Sequence, residues 1–65
     1  MDPAIGLVET TSIARGIVVT DAIVKKAEVR LVRADPVTPG KYLILFAGGE
    51  AEVSESLAAA ILAAA

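Results

Sequence analysis

Three carboxylates, Glu50, Glu52 and Glu55, crowd one short stretch, three serines stand at positions 12, 54 and 56, and Pro39-Gly40-Lys41 sits between two apolar segments. Clustered carboxylates can hold a divalent cation weakly. They also suit the positive end of a helix, and a solvated, dipole-matched helix start explains them more simply. A serine becomes a nucleophile only beside an activating base. The chain has no His and no Cys, so Ser12 is read as a helix cap and Ser54 and Ser56 as solvent-facing helix positions. Pro39-Gly40-Lys41 matches part of a phosphate loop. It lacks that motif's first Gly and the Ser or Thr after Lys, and it opens a strand where the motif opens a helix. No catalytic residue and no metal ligand set is expected, and zinc, haem and iron–sulfur sites of the usual kinds lack donors.

Sixty-five residues make one domain at most. Domains of this size bury only about 60% of their unfolded surface and rely on disulfides, metals or association. Without Cys or His, association is the remaining support. An apolar share of 55% is more than so small a chain can hide, so other copies are expected to cover part of it. Lack of Cys is compatible with a reducing cytoplasm. Met-Asp-Pro-Ala carries no basic region or apolar run of signal-peptide length, and the apolar tail Leu57 to Ala65 falls short of the roughly 20 residues of a membrane helix. A net charge of −2, one Tyr, one Phe and no Trp disfavour nucleic acid as a partner.

The elements that position these residues follow from spacing. Residues Ala4 to Thr10 read as a strand, with Ile5, Leu7 and Glu9 on one face and Ala4, Gly6 and Val8 on the other. Neither face is strongly polar before Glu9, which predicts cover on both sides. Thr10, Thr11 and Ser12 are all plausible caps. A helix is expected from about Ser12 to Ala27, its apolar stripe formed by Ile13, Ile17, Thr20, Val24 and Ala27. Gly16 inside it costs about 1 kcal/mol relative to Ala, which a close helix–sheet approach would justify. Asp21 and Lys25 form an i,i+4 pair in the favourable order. Glu28 to Ala34 reads as a second strand, with Val29 and Leu31 on one face. Asp35 to Gly40 is a loop stiffened by two prolines. The apolar run Lys41 to Ala47 predicts a central strand, and Gly48-Gly49 ends it. A second helix begins near Glu50, its stripe running through Val53, Leu57, Ala60, Ile61 and Ala64.

Three segments in order, AIGLVETTSIARGI, DAIVKKAEV and TPGKYLILFAG, resemble the shell domain of bacterial microcompartments (the BMC domain). The match runs from Ala4 to the second helix and is most similar to the first half of the tandem-domain, trimer-forming type. The resemblance implies an α+β, ferredoxin-like β-α-β-β-α fold, with an antiparallel sheet and both helices on one side. It implies a structural, non-catalytic protein in the shell of a cytoplasmic bacterial microcompartment. Such proteins form homo-oligomers, hexamers or trimers with a six-sided outline, which tile with other shell proteins around metabolic enzymes.

In that family the loop between the second and third strands lines a central pore for small metabolites. By resemblance it maps to Val37, Thr38, Pro39 and Gly40. Some relatives carry a Cys at the position of Thr38 that ligates an iron–sulfur cluster; a threonine hydroxyl is a poor iron ligand, so no cofactor is expected. A Lys in the first helix of single-domain members meets its equivalent at the tile edge. Lys25 matches it, with Lys26 adjacent. Taken alone, Lys25 is an exposed partner of Asp21 and the loop is a turn. The family domain continues with a fourth strand and a last helix beyond the second helix, which makes this an incomplete BMC-type domain. Truncation, supply of that part by another chain, or a new assembly would each account for the difference. A ferredoxin-like regulatory module binding a small ligand is the alternative that shares the element order.

Overall fold

A computed structural model describes residues 3–64. Expectations that touch Met1, Asp2 and Ala65 lie outside the described residues. The order is β1 (Ala4–Thr10), α1 (Ile13–Lys26), β2 (Arg30–Val37), β3 (Lys41–Gly48) and α2 (Glu50–Ala64). The three strands form one antiparallel sheet in the order β1-β3-β2. The β-α-β-β-α fold and the central place of β3 agree with the sequence reading. Of the apolar run of β3, Ile44 and Phe46 are buried, and Leu43 and Leu45 on the alternate face are half-buried.

Ser12 is the cap of α1: its Oγ accepts a hydrogen bond from the Arg15 amide at 3.0 Å, satisfying one of the helix's free donors. Thr10 instead turns inward, is buried, and donates from Oγ1 to the Ser12 carbonyl at 2.7 Å. At the far end, α2 has no basic residue in its last turn. Arg15 supplies one from α1, its Nη1 donating to the Ala63 carbonyl at 3.2 Å. The two helices therefore run antiparallel over the sheet.

The core is small: Val19, Ile23, Ile44, Phe46, Val53 and Ala60, with Ala4, Val8, Val29, Tyr42 and Ala63 packed against it. It lies between the helices and one sheet face. The predicted cover on both sides of β1 is therefore corrected. Gly6 and Thr10 are buried and Val8 half-buried, whereas Ile5 and Leu7 on the opposite face are 72% and 60% exposed. Both helices occupy the Gly6–Val8 face, and no described element covers the other.

The predicted helix stripes are also corrected. In α1 the buried residues are Gly16, Val19 and Ile23, while Ile13, Ile17 and Val24 are exposed. The helix is turned to put its smallest residue against the sheet. In α2, Val53, Ser56 and Ala60 are buried; Leu57 and Ile61 point out, and Ala64 is exposed. Ser56 is not a solvent-facing position. It is fully buried, and its Oγ donates to the Ile23 carbonyl at 2.9 Å. Small residues on α2 face α1, which lets the two backbones approach closely. A buried hydroxyl needs a partner, and the Ile23 carbonyl provides it.

The second strand starts and ends later than predicted. Asp35, Pro36 and Val37 belong to β2, pairing with Leu43, Tyr42 and Lys41. Pro36 is tolerated because β2 is an edge strand and need not donate on both sides. The register shifts between Leu31 and Arg33, leaving Val32 as an unpaired bulge residue.

Candidate functional site

The predicted loop residues lie at the tip of the β2–β3 hairpin. Val37 is the last residue of β2, half-buried and paired with Lys41. Thr38, Pro39 and Gly40 form the turn and are exposed. The Thr38–Pro39 peptide is cis, and Gly40 has φ +70°. A side chain at Gly40 would meet no atom within 4 Å, so conformation and not space demands glycine there.

Two side chains flank the tip, one on each face of the sheet. On the open face, Lys41 Nζ lies 3.5 Å from Glu9 Oε1. Both ends are substantially exposed, so the pair adds little to stability. On the helix-covered face, the Tyr42 hydroxyl donates to the Ala34 carbonyl of β2 at 3.1 Å. Neither contact was evident from spacing. Only the cross-strand register, which brings Glu9 opposite Leu43 and Pro36 opposite Tyr42, places them. On β2 itself, Arg33 Nε donates to both carboxylate oxygens of Asp35 at 3.0 Å.

Lys25 and Lys26 lie in the last turn of α1. Cations there complement the negative end of the helix. Lys25 Nζ is 3.1 Å from Asp21 Oδ2, as the i,i+4 spacing predicts, and both side chains are mostly exposed. These lysines are not part of the hairpin-tip site. Tyr42 packs against Gly16, and Lys25 is roughly 14 Å further along α1 at 1.5 Å per residue.

An open cavity of about 510 Å³ lies at the other end of the sheet, lined by Pro3, Glu28, Val29, Arg30, Ala47, Gly48 and Gly49. Among the described residues no group of three or more His, Cys, Asp or Glu could hold a metal ion. Thr38 offers the tip a hydroxyl and the sequence has no Cys. These residues do not fit an iron–sulfur cluster, which is held by thiolates. What the tip presents to its surroundings is backbone and small side chains.

The family model described as the BMC domain matches residues 4–65. The chain is 40% identical over 58 residues to the bacterial microcompartment shell protein PduT of Citrobacter freundii, a match covering 89% of this chain and 32% of that protein. The crystal structure of a microcompartment protein from Desulfitobacterium hafniense DCB superposes with a TM-score of 0.97 at 49% identity, over 100% of this chain and 36% of the other. The chain thus spans about a third of the length of each relative. With the family model matching nearly every residue and the fold shared to this degree, the chain belongs to the BMC domain family.

Proposed function

We propose that this protein is a structural component of a bacterial microcompartment shell in the cytoplasm. It acts without catalysis, by assembling with copies of itself and with other shell proteins. The observation that carries this is the distribution of apolar side chains. Ile5, Leu7, Ile17, Ile61 and Leu62 are each more than half exposed, on both the open sheet face and the outer helix surfaces. Patches of this kind mark surfaces that another chain covers. The two relatives are a shell protein and a microcompartment protein, which favours tiling over a ligand-sensing module. No helix among the described residues is long and apolar enough to cross a membrane.

Within that assembly, a hexamer or a trimer of six-sided outline, the tip Val37–Thr38–Pro39–Gly40 lines a central pore for small metabolites. Repeating a stiff turn around an axis makes a ring, and a ring of small groups filters by size and polarity. Replacing Thr38 by Trp tests this. The position is exposed, so stability should change by no more than about 0.5 kcal/mol. Solute passage should fall while the oligomer mass in native mass spectrometry stays the same. Collapse of the oligomer would assign the tip to packing instead.

Lys25, with Lys26 beside it, sits at the tile edge. Replacing Lys25 by Ala removes one exposed pair with Asp21, a loss of about 0.3–0.5 kcal/mol, too little to disturb the fold. The oligomer should persist, and extended sheets should disappear from negative-stain images. Sheets of unchanged extent would remove Lys25 from the edge.

A further inference from the structure

Tyr42 touches both α1 and the hairpin that carries the tip. A Cβ placed on Gly16 would lie 2.5 Å from Tyr42 Cδ2 and closer still to its Cβ and Cγ, so the α1 backbone rests directly on the tyrosine. From that fixed base the hydroxyl reaches diagonally across the sheet. It passes its own cross-strand partner, Pro36, and donates to the Ala34 carbonyl.

Apart from the β2–β3 pairing itself, the end of the hairpin has few other side-chain restraints. Pro36 and Pro39 have no amide hydrogen to donate. The register of β2 on β3 is interrupted at Val32. The Lys41–Glu9 pair on the opposite face is solvent-exposed. A half-buried hydroxyl on a rigid ring, braced by a helix backbone, ties the strand leading to the tip to the helix layer through one side chain.

We propose that Tyr42 is the positioning residue for the hairpin tip. Its ring registers β3 against α1, and its hydroxyl holds β2 at Ala34, so the placement of Thr38, Pro39 and Gly40 is set by the helix layer. Resting on the pore assignment above, this makes Tyr42 a determinant of pore aperture without lining the pore.

The test is Tyr42→Phe, which keeps the ring on Gly16 and removes only the hydroxyl. Amide exchange is followed residue by residue in the assembled protein. The amides of Val37 and Lys41, paired at the base of the tip, should exchange about fivefold faster, as loss of one hydrogen bond at a local opening dictates, with the amides of α1 and α2 unchanged. Ionic conductance in potassium chloride, measured on oligomers in a planar bilayer, should shift in the same variant. Tip exchange that is unchanged, or that rises only in step with α1 and α2, overturns the positioning role. Faster tip exchange, with conductance unmoved in both Tyr42→Phe and Thr38→Trp, upholds the tie and overturns the pore assignment instead.

Discussion

Replacing Phe46 by Ala should unfold the domain. Phe46 is fully buried in β3, the central strand of the sheet. Its ring lies against Gly6 of β1, where a Cβ would sit 2.6 and 2.8 Å from two ring carbons. Removing a buried phenylalanine costs about 3–5 kcal/mol, part from lost transfer energy and part from the cavity left behind. Among the described residues only six hydrophobic side chains make up the buried core, and the glycine opposite Phe46 has no side chain to move into the gap. Small domains sit near the low end of the usual range of about 5–15 kcal/mol of stability. The variant should give an unfolded circular dichroism spectrum at room temperature and show no cooperative transition on heating. A melt lowered by only a few degrees would mean that association, and not this core, carries most of the stability.

Gly16→Ala sets two opposing effects against each other. Within α1, alanine is favoured over glycine by about 1 kcal/mol. The new methyl group, however, would press on the root of Tyr42, where neither the strand backbone nor the ring base can swing away. Overpacking of this kind costs typically about 1–3 kcal/mol, and a contact with Cβ and Cγ, in place of a flexible side-chain end, belongs at or beyond the upper limit. The net loss should be about 2 kcal/mol, lowering the melting temperature by about 10 °C for a domain of this size. A melting temperature equal to or above that of the parent would show that α1 stands further from the sheet.

The existence and order of all five elements could be read from the sequence, and local signals mark several of their bounds. Ser12 caps α1, Gly48-Gly49 separates β3 from α2, and the apolar run from Lys41 is too short and too aromatic-rich at its ends for a helix. The close approach at Gly16 could be read too, since an unfavourable glycine in a helix demands a packing reason. The faces of the helices could not. In α2 the predicted stripe is right at Val53 and Ala60 but wrong elsewhere: periodicity selects the largest apolar residues, whereas the helix contact takes small ones, so Ser56 is inside while Leu57 and Ile61 are outside. The end of β2 was hidden for a different reason. Pro36 argues against a strand by propensity, and only its edge position in the sheet makes it acceptable. The loop at the tip could be read from its prolines and glycine, and only the role given to it came from resemblance; the Tyr42 tie behind it depends on register, which single-sequence patterns do not give.

The inverted amphipathicity of α2 has a consequence for how much native protein a cell holds. With alanine and serine turned inward and isoleucine and leucine turned outward, the assembly proposed above covers apolar surface that folding alone leaves exposed. Folding is then linked by mass action to copy number, and anything that binds only the native form raises its stability with concentration. In the proposed assembly, the amount of protein made bears directly on how much of it is native.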